Sequence, residues 1–189
     1  MPGELPEMEF ADQAALAAWL AEHADTPGIW LRIAKKGTGI TSVDHDQALE
    51  EALRHGWIDG TVRRVDDQWF MQKFTPRSRR SRWSRINRES AERLIAEGRM
   101  FPRGLREVEA AKADGRWDAA YAGPASSTVP DDLAAALAAA PSAQAFFNTL
   151  TSQNRYAILY RVEEAKRPET RARRIEKFVA MLERGETLH

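Results

Sequence analysis

Apolar and polar positions alternate between two periods along this chain, and the change of period outlines its elements. From Asp12 to His23 the residues Leu16, Trp19 and Leu20 recur at helical spacing, which predicts an amphipathic helix. Ile29, Leu31 and Ile33 then alternate with Trp30, Arg32 and Ala34, the period of a half-buried strand, and Lys35 to Gly39 closes it as a loop. Asp44 and Gln47 have the spacing of a capping box ahead of a helix whose apolar face is Ala48, Leu49, Ala52 and Leu53. Gly56 is placed to stop that helix, because glycine enters the left-handed region without steric cost.

Residues 57–74 read as a hairpin turning at Asp66-Asp67, with Phe70, Gln72 and Phe74 on one face of its second strand. Pro76 cannot pair through its own nitrogen. Beyond Ser84 the pattern is helical: Ile86, Leu94 and Ile95 form one helix ended by Gly98, and Leu105, Val108 and Ala111 form another ended by Gly115. Trp117 and Tyr121 stand four residues apart, the separation of one helical face. Residues 123–130, opening Gly123-Pro124-Ala125-Ser126, have linker composition. Four short helices are expected after it: Pro130 to Ala140, Ser142 to Leu150, Ser152 to Lys166, and Pro168 to Arg184. Ser142 and Ser152 are the expected N-caps, Pro168 suits a first turn, and Ile175, Phe178, Val179 and Leu182 make the last apolar stripe. The expected fold is therefore α+β: a lobe at 1–122 with a small antiparallel sheet covered by helices, a linker at 123–130, and a helical C-terminal lobe at 131–189.

Composition narrows the chemistry. The 189 residues include no cysteine, which removes disulfides, thiolate catalysis and cysteine-held metals. The four histidines have no metal-ligand spacing, so no metal is expected, and no cofactor is implied. The acidic, proline-bearing start is unlike a secretory signal, and no segment approaches a membrane span, so the expected location is cytoplasmic. Net charge is zero, but residues 1–59 hold 4 basic and 11 acidic side chains, whereas residues 60–116 hold 15 and 8. Lys73, Arg77, Arg79, Arg80, Arg82, Arg85 and Arg88 occur between 71 and 88 without an acid among them. Such a segment suits an anionic partner, or pairs with the acidic first third of its own chain.

The densest chemistry lies between Gly56 and Asn87, where three of the six tryptophans, Trp57, Trp69 and Trp83, stand beside Asp59 and the arginine run. Asp59 could accept from a ligand, hold Arg77 in a bidentate pair, or cap its own turn. The stretch from Thr75 to Ser84 interleaves arginine with hydroxyls and ends near an indole, groups that recognise phosphates and bases; a loop with Arg77 and Trp83 turned inward accounts for the same letters. Arg171, Arg173, Arg174 and Lys177 on the last helix read as a solvated face offset by nearby glutamates. For catalysis the sequence offers no nucleophile elbow, phosphate loop or dinucleotide fingerprint. His55 with Asp59 is the one candidate acid–base pair; a last-turn histidine facing the helix C-terminus is the structural alternative.

Taken as strings, Gly56-Trp57-Ile58-Asp59-Gly60, Phe74-Thr75-Pro76-Arg77, and Ser81-x-Trp83-Ser84-x-x-Asn87 resemble the bacteriocin-protection family, also called YdeI or OmpD-associated. Gly115-Arg116-Trp117 and Ala165-Lys166-Arg167 with Glu169-Thr170-Arg171-x-Arg173-Arg174-Ile175 extend the resemblance from about residue 10 to Gly185. The resemblance implies tolerance to bacteriocins or antimicrobial peptides and association with an outer-membrane porin, with no reaction or cofactor attached. It nominates Trp57, Asp59, Arg77, Ser81, Trp83, Ser84 and Asn87 as a shared pocket or interaction surface for a protein partner or a small anionic ligand. The expected function is thus a non-enzymatic stress-tolerance protein. The alternatives are a nucleic-acid binder using the Arg77–Arg88 segment, and an enzyme with Asp59 in a cleft.

Overall fold

A computed structural model describes residues 4–124 and 126–188; Met1 to Gly3, Ala125 of the expected linker and His189 lie outside the described residues. The fold is α+β, and the chain divides into two compact units, Met1–Ala120 and Tyr121–His189.

In the first unit the order is β1 (Glu7–Met8), α1 (Gln13–Glu22), β2 (Ile29–Ala34), α2 (His45–Arg54), β3 (Trp57–Arg64), β4 (Trp69–Pro76), α3 (Arg85–Ala96) and α4 (Pro102–Ala113). The sheet runs β1-β2-β4-β3. It is mixed rather than wholly antiparallel, because β1 pairs with β2 in parallel through Glu7↔Trp30 and Met8↔Leu31. A parallel neighbour needs a long crossover, and α1 supplies it. Two ladder residues are too few to show a period, so the strand does not stand out in the sequence.

Asp12 caps α1 by accepting from Ala15 N at 2.8 Å, and the predicted capping box forms at α2, where Asp44 and Gln47 make both halves. Ile29, Leu31 and Ile33 of β2 and Phe74 of β4 face Leu16, Leu20, Ala48 and Ala52 of the first two helices, which cover one face of the sheet. Leu53, on another side of α2, joins a second cluster with Ala91 and Leu94 of α3, Val108 and Ala111 of α4, and Trp83, Trp117 and Ala120. α2 therefore stands between two cores. Ile86, expected with Leu94 and Ile95, is 53% exposed. The other sheet face carries two stacked pairs, with the Arg32 guanidinium 4.4 Å from the Trp69 ring and that of Arg63 4.9 Å from Trp30. Glu9 and Glu7 neutralise these arginines.

Trp117 does not continue a helix. α4 stops before Gly115 (φ +80°), residues 115–119 are turns, and Trp117 N donates to Ala111 O at 3.0 Å. Packing of the two helix ends is close: a Cβ at Gly104 of α4 would stand 2.8 Å from Leu53 O and nearer still to Arg54 O, so only glycine fits there.

The second unit is helical: α5 (Asp131–Ala138), α6 (Pro141–Thr149), α7 (Ser152–Glu164) and α8 (Pro168–Glu183). Leu133, Leu137, Phe147, Ile158, Phe178 and Leu182 are the centre of its own core. Two expected caps move by one residue. Pro141 takes the first position of α6, so Ser142 falls inside the turn; Thr151 caps α7 by accepting from Asn154 N at 3.3 Å, leaving Ser152 as the first helical residue. Pro168 opens α8 as predicted.

Candidate functional site

Gly56 (φ +74°) ends α2 and turns the chain into β3 at Trp57, whose side chain is 1% exposed. Its indole enters the first core, edge-on to Trp19 at 6.1 Å. Asp59, two residues on and half-buried, pairs in the ladder with Phe74. Its carboxylate makes no hydrogen bond or ion pair among the described residues, so the bidentate Asp59–Arg77 pair does not form. A register shift follows between Asp59 and Val62, and the Gly60 carbonyl there accepts from the buried Gln72 Nε2 at 2.7 Å. That bond satisfies an oxygen at the irregularity and explains a glutamine in an apolar row.

At the far end of the hairpin Arg77 N donates to Gly56 O at 2.9 Å, so pairing persists past Pro76 although the proline nitrogen cannot donate. The Arg77 guanidinium is buried, lies 3.5 Å from the centre of the Trp83 ring, and donates to Arg82 O at 3.2 Å. Trp83 is 1% exposed and meets Trp117 edge-on at 4.9 Å. Ser81 closes the intervening turn: its hydroxyl accepts from Ser78 N at 3.0 Å, and Arg116 Nη1 donates to its carbonyl at 2.9 Å. Ser84 is the N-cap of α3, accepting from Asn87 N at 3.1 Å, and Asn87 is itself buried.

The seven nominated residues thus fall into two groups. Arg77, Ser81, Trp83, Ser84 and Asn87 share the segment that leads into α3, whereas Trp57 and Asp59 lie on β3, with Trp57 in the other core. A groove of about 260 Å³ between α2 and α3 is lined by Leu49, Leu53, Ile86 and Arg93 among others, and none of the seven lines it. Of the basic run, Arg79, Arg80 and Arg85 are exposed and make no ion pair among the described residues; Arg88 donates to Trp117 O at 3.5 Å and stands 3.9 Å from Glu92.

Glu51 is the residue that sequence reasoning missed. It sits on α2, 1% exposed, and accepts from Arg54 Nη1 at 2.7 and 2.9 Å and from Gln13 Nε2 at 2.7 Å. The Glu51–Arg54 spacing of three residues is the signal that could have found it. His55 is the C-cap of the same helix through its backbone N–H, and its ring lies 4.3 Å from Phe101, with Nε2 3.8 Å from Glu51 Oε2. Its neighbour is therefore Glu51, not Asp59.

Burial pushes the His55 pKa below its ordinary 6.5; the Glu51 charge opposes this and Arg54 and Arg103 reinforce it. The unfolded chain therefore binds a proton more readily than the folded one. The stability contributed by neutral His55 is complete above about pH 6.5 and declines as pH falls from there toward the lower folded value. Urea unfolding across that window should show the decline, and His55→Gln should flatten it; an unchanged slope would refute the assignment.

Among the described residues no cluster of histidine and carboxylate side chains could hold a metal ion, and no helix is long and apolar enough to cross a membrane. These features define an α+β unit with a tryptophan–arginine frame, joined in sequence to a four-helix unit. Residues 8–107, more than half of the chain, match the domain of unknown function DUF8412, and the chain belongs to that family. Residues 126–185, within the second unit, match the model of the bacteriocin-protection, YdeI or OmpD-associated family. The resemblance read over residues 10–185 is thus located in the helical unit, and the motifs from Gly56 to Asn87 fall in the other match. No curated protein and no solved structure matches the chain.

Proposed function

We propose that this chain is a non-enzymatic, cytoplasmic protein of bacteriocin or antimicrobial-peptide tolerance that acts by binding a protein partner or an anionic group. The observation that carries the reading is the bacteriocin-protection match, which covers nearly all of a helical unit with its own core. The name of that family supports a protein partner.

On the first unit, the contact surface is the loop from Ser78 to Arg85. Arg77 stacked on Trp83, the Ser78–Ser81 turn and the Arg116 bond to Ser81 O fix its backbone. Arg79, Arg80 and Arg85 are left facing solvent and make no ion pair among the described residues. A rigid loop carrying guanidinium groups binds carboxylates or phosphates with little ordering cost. The role of Arg77 and Trp83 is to hold this loop, and Trp57 and Asp59 belong to the sheet that supports it.

Cells expressing the chain should survive a bacteriocin challenge better than cells without it. The Arg79→Ala/Arg80→Ala variant should lose most of that advantage while its melting temperature stays within about 2 °C of the parent, as expected for exposed substitutions. Full tolerance in the folded variant would refute the loop assignment. No tolerance from the parent chain would refute the function.

A further inference from the structure

The helical unit has a groove remote in sequence from the Gly56–Asn87 motifs. Between α5 and α8 lies a depression of about 430 Å³ floored by Ala136, Pro168, Ala172 and Ile175. The floor side chains are small or flat, so a rod-like apolar surface can lie close against both helices. Arg171 is the one cation in the lining, and it is engaged: Nε and Nη2 donate to the Asp132 carboxylate at 2.5 and 2.9 Å, and Nη1 donates to Val162 O at 2.9 Å. The guanidinium holds the Asp132 carboxyl below the usual carboxylate range, so the pair stays ionised and internally neutral.

The row of α8 that flanks the floor is negative. Glu169, Glu176 and Glu183 recur every seventh residue of α8, which places them along one line of the helix beside Pro168, Ala172 and Ile175. All three are exposed, and none makes an ion pair among the described residues. On the opposite bank α5 contributes Asp132, whose charge Arg171 neutralises, and has no basic residue. The exposed cations of α8, Arg173 and Lys177, lie about 100° or more around the helix from the line through Pro168, Ala172 and Ile175, turned from the groove. An apolar floor beside an acidic row fits one class of occupant.

We propose that the α5–α8 groove docks a cationic amphipathic helix, a peptide with one apolar stripe flanked by lysine or arginine. Its stripe lies on Ala136, Ala172 and Ile175, and a basic row meets Glu169, Glu176 and Glu183. This is the helix-in-groove mode of recognition, in which apolar contact supplies affinity and flanking charge supplies selection. Because the floor is made of small side chains, the charges contribute a large share, and binding weakens as salt rises. The inference goes beyond the loop described above: it names a second surface on the other unit and a ligand of opposite charge.

The test uses the full chain and a fluorescent peptide of about 18 residues containing only leucine and lysine in amphipathic order, long enough to run the length of α8. Anisotropy should show saturable binding. Glu169→Lys/Glu176→Lys should weaken it by at least about tenfold through like-charge repulsion. Ala172→Trp, at an exposed position, should weaken it similarly by filling the floor. The same peptide with glutamate in place of lysine should not bind the groove. No saturable binding, or binding unaffected by both the charge reversal and the tryptophan, overturns the proposal. Peptide binding without tolerance in cells would instead count against the proposed function and leave the groove assigned.

Discussion

Trp83→Ala is expected to lower the unfolding free energy by about 3–5 kcal/mol, the usual cost of truncating a fully buried tryptophan, and to be the most damaging single change in the Gly56–Asn87 window. The indole is 1% exposed and belongs to a core cluster drawn from α2, α3 and α4. Its face supports the Arg77 guanidinium, its ring packs edge-on against Trp117, and it shares a cluster with Leu53, Leu94 and Val108. Removing it leaves a cavity and also leaves a buried guanidinium without its stacking surface. Urea unfolding followed by far-ultraviolet circular dichroism would measure the loss. A change below about 1 kcal/mol would mean that the indole is not a core element.

Glu51→Ala should cost about 3 kcal/mol, because breaking a buried ion pair leaves the other charge poorly compensated. Arg54 loses both bonds to the carboxylate and keeps its donation to Arg99 O. Gln13 Nε2 loses its 2.7 Å acceptor, and with it one tie between α1 and α2. Glu51→Gln retains an acceptor oxygen and loses the charge, so it should fall between the parent and the alanine variant in the same urea titration. Equal stability of the alanine variant and the parent would contradict the burial and pairing described here.

Much of this fold can be read from period and punctuation. The alternation in Ile29–Ala34 shows as alternating burial in β2, the Asp44/Gln47 box starts α2 where predicted, and positive-φ glycines follow α2, α3 and α4 at positions 56, 98 and 115. What was not legible depends on long-range partners. β1 is a strand only because α1 returns the chain beside it. Glu51 is buried only because Arg54, Gln13 and His55 converge on it, and a carboxylate on a helix otherwise reads as solvated.

The chemistry of the window was legible in its residue types and not in their orientation. Letters that suggest a binding surface, Trp57, Arg77, Trp83 and Asn87, are buried, and two of the hydroxyls, Ser81 and Ser84, close a turn and cap a helix. An arginine on an indole stabilises an interior as readily as it recognises a ligand, and only its place in the fold distinguishes the two. The exposed remainder, Arg79, Arg80 and Arg85, has the sequence signal of a solvated run.

The central claim is a division of labour: buried Trp83 frames the loop, and exposed Arg79 and Arg80 make the contact. It is tested most directly by measuring bacteriocin tolerance per folded molecule, with folded protein quantified by pulse proteolysis, for Trp83→Phe and Arg79→Ala/Arg80→Ala side by side. Trp83→Phe should lower stability while leaving tolerance per folded molecule at the parent level, and the double arginine variant should keep stability and lose tolerance. The reverse pattern, with tolerance lost in folded Trp83→Phe and retained without the two arginines, would contradict it.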